Sequence, residues 1–280
     1  MDVRIERILN RLGIQSYLQL AGATSSTVIE AAGDVFRFLT NDRWLKEEPD
    51  LIRHEAWALQ LGLPFAPKLI AFEEANTEGL PWIRMTKVEG QVDLAPRDKE
   101  EWVKELAWAL AQVHRQPVPS SSYHYRPYHA ERIVPSWGRG GAWDWAVRQS
   151  CPPSAKLALI HRDFHPVNVL FGEGRVTGVV DWINACTGPV EADLAHCRLN
   201  LALLESVDIA DQFLQRYLER TGLKYDHRWD LMAVFDFELE HLDVYPGWEA
   251  HGRTDLSKAN VRKQLENYVL KVYENSVSGF

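Results

Sequence analysis

Up to Gly90 the chain is dominated by short β-branched and aromatic runs separated by turn residues, whereas beyond Pro96 most apolar positions recur at helical spacing. Ile5, Ile8, Leu9 and Leu12, closed by Gly13, predict a short amphipathic helix. Leu18 to Leu20, Val28-Ile29 and Val35 to Phe38 then predict an antiparallel strand meander whose first turn, Gly22 to Thr27, is small and hydroxyl-rich. A helix follows from Pro49-Asp50 to Gly62 with Leu51, Trp57, Leu59 and Leu61 apolar, and two strands, Leu69 to Phe72 and Trp82 to Met85, flank a polar loop.

In the second half, Asp98 caps a predicted helix whose buried stripe is Trp102, Leu106, Ala109, Leu110 and Val113. Residues 116–153 resist assignment, because six prolines interrupt Tyr123, Tyr125, Tyr128, Trp137, Trp143 and Trp145; these aromatics read as packing more than as the wall of a site. His124 and His129 lack partners at metal-ligand spacing. Three helices close the chain: Asp208 to Arg220, Trp229 to Val244 with Phe235, Leu239 and Leu242 apolar, and a last one marked by Val261, Leu265, Tyr268, Val269 and Val272. Strands in front and helices behind predict an α+β architecture.

The chemistry concentrates between these parts, in Ile160 to Asp181. Val169 to Phe171 and Val176 to Val180 predict a hairpin around Gly172-Glu173-Gly174-Arg175. With Phe171 facing Val176, Asn168 falls opposite Val179 and Asp181 lies on the same face, roughly 7–8 Å away along the diagonal. A small cation held about 2.0–2.1 Å from each oxygen fits that gap. Asp163 precedes the hairpin and stays free to face a substrate. This is the layout of phosphoryl transfer, in which one carboxylate orients an acceptor hydroxyl while an amide and a second carboxylate hold magnesium on nucleotide phosphates. Two other classes fit parts of the segment: a catalytically silent nucleotide-binding module, and a metal-dependent hydrolase built on His161, Asp163 and His165.

Ile160-His161-Arg162-Asp163 with Asn168, then Val179-Val180-Asp181-Trp182, Gly188-Pro189 and Asp193-Leu194-Ala195, resembles the aminoglycoside phosphotransferase and choline kinase-like family. The resemblance implies a two-lobed protein-kinase-like fold, with a small antiparallel-sheet N-lobe (residues 1–90) and a larger, mostly helical C-lobe (residues 91–280). It implies an ATP- or GTP-dependent, Mg2+-requiring enzyme that phosphorylates a hydroxyl of a small molecule, either an aminoglycoside-like antibiotic or a metabolite. Asp163 would be the catalytic base, Asn168 and Asp181 the magnesium ligands, and Asp193 a buried support. Trp-Ile after Asp181, where protein kinases carry Phe-Gly, separates the chain from those enzymes.

By the same resemblance Ser25 and Ser26 lie in the turn over the phosphates and Arg37 stands where the family places a Lys or Arg aimed at them. Glu55 would orient Arg37, and Thr86 and Val88 fall in the inter-lobe linker whose backbone meets the purine edge. Arginine can grip a phosphate through two donors, so it suits the position. Asp236, Glu240 and Asp243 follow i, i+4, i+7 spacing in the helix predicted over Trp229 to Val244, and one acidic face there would attract a cationic acceptor.

Composition narrows this little further. The 280 residues suffice for a sizeable core, and a net charge of −8 argues against nucleic-acid binding. The polar, acid-bearing first residues do not read as a secretory signal, no run of about 18 apolar residues predicts a membrane span, and Cys151, Cys186 and Cys197 form no CxxC pair; together these predict a cytoplasmic protein.

Overall fold

A computed structural model describes residues 2–20, 26–74, 77–118, 123–127 and 132–277. In chain order the first part runs α1 (Val3–Arg11), β1 (Leu18–Gln19), β2 (Thr27–Ala31), β3 (Asp34–Phe38), α2 (Asp42–Glu47), α3 (Leu51–Gln60), β4 (Leu69–Glu73) and β5 (Trp82–Thr86). The strands form one antiparallel sheet in the order β1-β2-β3-β5-β4. Side chains alternate along a strand, so β3 sends Phe36 and Phe38 to one face and Arg37 to the other. The two phenylalanines are buried with Ile5, Ile8 and Leu9 of α1 in a core separate from the main one.

Across the sheet, α3 packs against β4 and β5. Its buried positions include Ile52, Glu55, Ala56 and Leu59, the i, i+3, i+4, i+7 stripe of an amphipathic helix. Glu55 therefore occupies a core position and is fully buried beside Arg37.

Residues 87–90 lead out of the sheet to β6 (Gln91–Val92), α4 (Lys99–Val113), α5 (Gly141–Ala146), β7 (Leu157–Ile160), β8 (Val169–Gly172), β9 (Arg175–Val179) and β10 (Cys186–Pro189). The Asp98 side chain accepts from the Glu101 N–H at 3.0 Å, the cap expected for α4. Then come α6 (Val190–Leu204), α7 (Val207–Thr221), α8 (Arg228–Phe235), α9 (Pro246–Ala250) and α10 (Lys258–Val277). α6 is the axle of this part, packing on α7, α8, α10 and β7. It is buried on nearly every side, so it carries no apolar stripe that periodicity could detect. Arg198 on α6 is fully buried against Asp230 of α8 at 3.0 Å. Trp143 is in the core, Trp137 meets it edge-on at 5.8 Å, and Trp145 packs on Tyr273; these aromatics do serve packing. Tyr128 and His129 lie outside the described residues.

The structure corrects the predicted helix over Trp229 to Val244. α8 ends at Phe235, and Leu239–His241 form a separate 3-10 turn before Pro246 opens α9. Leu239 and Leu242 are buried by that turn, so their spacing from Phe235 only imitates a helical stripe.

Candidate active site

The loop after β7 carries His161, Arg162 and Asp163, and it is fixed from below by Asp193 on α6. Asp193 Oδ2 accepts from the His161 N–H and Oδ1 from the Arg162 N–H, both at 2.7 Å, while His114 Nε2 approaches Oδ2 at 3.1 Å. Burial works against its charge, but the His114 contact and the backbone donors hold the carboxyl below its ordinary range. The two donors compensate a turn in which Arg162 takes a left-handed φ of 71°. Arg162 itself reaches Asp236 at 2.9 Å, with both side chains over nine-tenths buried, and lies over the Tyr125 ring at 4.7 Å.

Asp163 follows with 31% of its side chain exposed. Its Oδ2 accepts from Asn168 Nδ2 at 3.2 Å and its Oδ1 lies 3.0 Å from His196 Nε2. Burial again opposes ionisation, yet His196, His165 and His161 together keep the carboxyl well below the usual carboxylate range. The His165 imidazole is driven the other way: burial pushes it down to about 4, so it is neutral.

Asn168 closes a 3-10 turn (Pro166–Asn168) and donates to the Asp163 carbonyl at 2.9 Å as well as to its carboxylate. Both bonds use the amide nitrogen, which leaves the amide oxygen as the free end. The hairpin register differs from the simple ladder. Phe171 does face Val176, but a bulge between Leu170 and Phe171 takes up one residue, so Val169 faces Val179. Asn168 consequently sits opposite Val180, whose N–H donates to its carbonyl at 2.9 Å. Asp181 is next along the chain, beyond β9, in a left-handed conformation with φ 66°.

Asp181 is met from the N-terminal sheet. Arg37 Nη2 lies 3.1 Å from Asp181 Oδ1, and Arg37 Nε lies 3.0 Å from Glu55 Oε2 but off the N–H axis, so that contact is an ion pair and not an aligned hydrogen bond. Nη1 donates to the Ser26 hydroxyl at 3.2 Å. Burial is the largest influence on Glu55 and pushes its carboxyl up to about 7, with Arg37 opposing and Asp181 adding to the rise. Ser25 lies outside the described residues. Thr86 ends β5, where its hydroxyl accepts from the Lys68 N–H at 2.9 Å. Val88 lies over the hairpin so closely that a Cβ on Gly178 would come within 2.6 Å of it, and the Thr177 hydroxyl donates to the Glu89 carbonyl at 2.6 Å. The linker is thereby tied to the strand that leads to Asp181.

Two other sequence expectations fail. With the helix broken at Phe235, Asp236, Glu240 and Asp243 share no face: Asp236 pairs with Arg162, Glu240 accepts from the Ser136 hydroxyl at 2.8 Å, and Asp243 meets Lys258 at 3.0 Å. His161 does not converge with Asp163 and His165, because its Nδ1 accepts from the Asp163 N–H at 3.3 Å and its Nε2 faces the Val180 carbonyl at 2.9 Å. The unforeseen participant is His196. It stands three residues after Asp193 on α6, hence on the same side of the helix one turn along, a spacing that identifies it once Asp193 is placed under the loop.

A model of the phosphotransferase enzyme family matches residues 30–232, more than two thirds of the chain. The chain belongs to this family. It is a phosphotransferase of the small-molecule kinase type, and its α+β fold is the kinase-like one. Among solved structures, a thermostable mutant of aminoglycoside phosphotransferase APH(4)-Ia, in ternary complex with ADP and hygromycin B, matches with a TM-score of 0.63 at 16% identity, over 95% of this chain and 97% of that one. Aminoglycoside-3'-phosphotransferase of type VIII matches at 0.59 and 17%, over 85% and 99%. Macrolide 2'-phosphotransferase MphH from Brachybacterium faecium matches at 0.55 and 17%, over 82% and 87%. A comparison with curated protein sequences found no match. No helix among the described residues is long and apolar enough to cross a membrane.

Proposed function

We propose that this phosphotransferase moves the γ-phosphoryl group of ATP or GTP, with Mg2+, onto a hydroxyl of a small molecule, and that Asp163 is its catalytic base. The observation that carries this is the meeting of Arg37, Asp181, Asn168 and Asp163, drawn from the sheet, the end of β9 and the loop before β8. Asp163 is ionised at any physiological pH and partly exposed, so it accepts an acceptor hydroxyl's hydrogen bond and then its proton. Asp193, holding the loop backbone, keeps it in place.

The residues suit the cation. The Asn168 amide oxygen and the Asp181 carboxylate are hard oxygen donors of the kind magnesium takes, and the nitrogen end of Asn168 is already used by Asp163. Bound there, Mg2+ would neutralise charge on the donor phosphates. Arg37, braced by Glu55, supplies a second positive charge from the sheet side, with Ser26 beside it. Thr86 and Val88 border the segment whose backbone would meet the purine.

The acceptor side would suit a molecule with an apolar or ring-bearing part. Around Asp163 stand imidazole and aromatic rings: His196 stacks on Phe237 at 6.3 Å, His165 meets Tyr245 edge-on at 5.8 Å, and Tyr245 meets Trp248 at 5.9 Å. Asp236, Glu240 and Asp243, expected to attract a cationic acceptor, are paired with Arg162, Ser136 and Lys258. The test is a screen of neutral, monocationic and polycationic alcohols for ATP- and GTP-dependent product. Product from a neutral or aromatic-bearing alcohol supports the assignment; turnover confined to polycationic amino sugars contradicts the acceptor class, and no phosphorylated product from any pool contradicts the activity.

A further inference from the structure

Two imidazoles and a carboxylate converge beside the hydroxyl-accepting edge of Asp163, a donor set different from the oxygens of Asn168 and Asp181. Asp163 Oδ1 lies 3.0 Å from His196 Nε2 and 3.8 Å from His165 Nε2, and one ligand atom from each of the three residues lies within 4.8 Å of the others. Ligands about 2.0–2.1 Å from a tetrahedral ion stand about 3.3–3.4 Å apart, so the two distances from Asp163 bracket the required edge. Only the His165–His196 separation has to close, and each of these side chains turns about its own χ angles.

A second observation points to a ligand. The His165 side chain is 95% buried, since 5% of it is exposed, its Nδ1 has no hydrogen-bond partner, and its Nε2 stands at 3.8 Å from Asp163, beyond hydrogen-bond reach. The ring is thus held by no hydrogen bond of its own, and Nε2, which faces Asp163, is left to take a ligand. His161, the other imidazole nearby, has both nitrogens engaged by backbone and is excluded from the set.

We infer that Asp163, His165 and His196 form a binding site for a borderline divalent cation, zinc above all, with a fourth position open to water. Imidazole nitrogens select zinc, cobalt or nickel over magnesium, so the two cation positions in this cleft are sorted by donor type: oxygen donors at Asn168 and Asp181, nitrogen donors at His165 and His196. Binding zinc does not depend on the phosphotransfer assignment. Its consequence does: a cation on Oδ1 withdraws Asp163 from the acceptor, so zinc is a reversible inhibitor that leaves nucleotide binding in place.

The test is a titration of the full chain with ZnCl2 by calorimetry, without nucleotide or acceptor, and with Co2+ as a spectroscopic probe. One ion per chain is expected, with a Co2+ visible spectrum typical of four- or five-coordinate nitrogen and oxygen ligation. His165→Ala and His196→Ala should each weaken binding about a hundred-fold or more, because loss of a ligand exceeds the about 10–100-fold carried by a ligand's supporting partner. Asp181→Asn should bind zinc as the wild type does. Circular dichroism on each variant separates loss of a ligand from loss of fold, and where His165→Ala unfolds, His165→Gln replaces it. Zinc affinity unmoved by either histidine substitution, or abolished by Asp181→Asn, overturns the site. Zinc bound as described by a protein that proves to transfer no phosphoryl group leaves the site standing and removes only its inhibitory role.

Discussion

Arg37 Nη2 lies 3.1 Å from Asp181 Oδ1, and that contact joins the N-terminal sheet to the end of the β8–β9 hairpin. The same guanidinium is paired with Glu55, so three charged side chains from β3, α3 and the segment after β9 act as one unit. Arg37→Gln, Glu55→Gln and the double variant should therefore be non-additive in nucleotide affinity. A coupling of about 0.5–3 kcal/mol is expected from calorimetry; strict additivity would show that Glu55 does not orient Arg37.

Glu55 also makes this unit sensitive to pH. Its carboxyl is raised from an ordinary 4.5 to about 7, chiefly by burial. A raised carboxyl binds its proton more tightly in the fold than in the unfolded chain, so its contribution to stability is fully present below about 4.5 and is lost as pH climbs through about 7. Ionisation through the same window charges the group that holds Arg37. Nucleotide affinity should thus rise, and the melting temperature fall, as pH passes upward through about 7, and both slopes should flatten in Glu55→Gln. Parallel pH profiles in wild type and variant would remove Glu55 as their source.

Asp181→Asn tests the cation position with little disturbance of the backbone, since asparagine tolerates the left-handed conformation there as aspartate does. The substitution removes one negative charge from the proposed magnesium site. Nucleotide binding that depends on Mg2+ in the wild type should lose that dependence in the variant. Affinity that still responds to Mg2+ would place the cation elsewhere.

Much of this was legible in the sequence, and the failures have physical causes. Arg37 and Glu55 were placed by the family resemblance alone, and the structure does pair them, at 3.0 Å. The strands and the end helices were visible because each has one apolar face. α6 was not delimited, being buried all round, so the role of His196 went unseen although Asp193 three residues earlier was placed beneath the loop. The one-residue bulge in the hairpin left no trace in a run of valines, and it moved Asn168 from Val179 to Val180. The helix through Asp236 failed because buried Leu239 and Leu242 lie on a turn whose spacing copies a helix.

Asp236 now has a structural assignment to test. Removing one member of a buried ion pair costs about 3–5 kcal/mol, so Asp236→Ala, which takes the carboxylate away from Arg162 in the loop after β7, should lower the unfolding midpoint markedly. Glu240→Gln and Asp243→Asn should leave the acceptor KM unchanged at low and high salt. A KM that rises in those two variants and weakens with salt would restore them to the acceptor site.

The most direct measurement compares turnover and nucleotide affinity in the wild type and Asp163→Ala, using an acceptor found by the screen and saturating Mg2+ with ATP or GTP. A base contributes about 10²–10⁴-fold, so kcat should fall by that order while the nucleotide Kd stays within a few-fold of wild type, as the proposed placing of Asp163 on the acceptor side requires. Turnover that survives the substitution intact would contradict the assignment of Asp163 and, with it, the proposed mechanism.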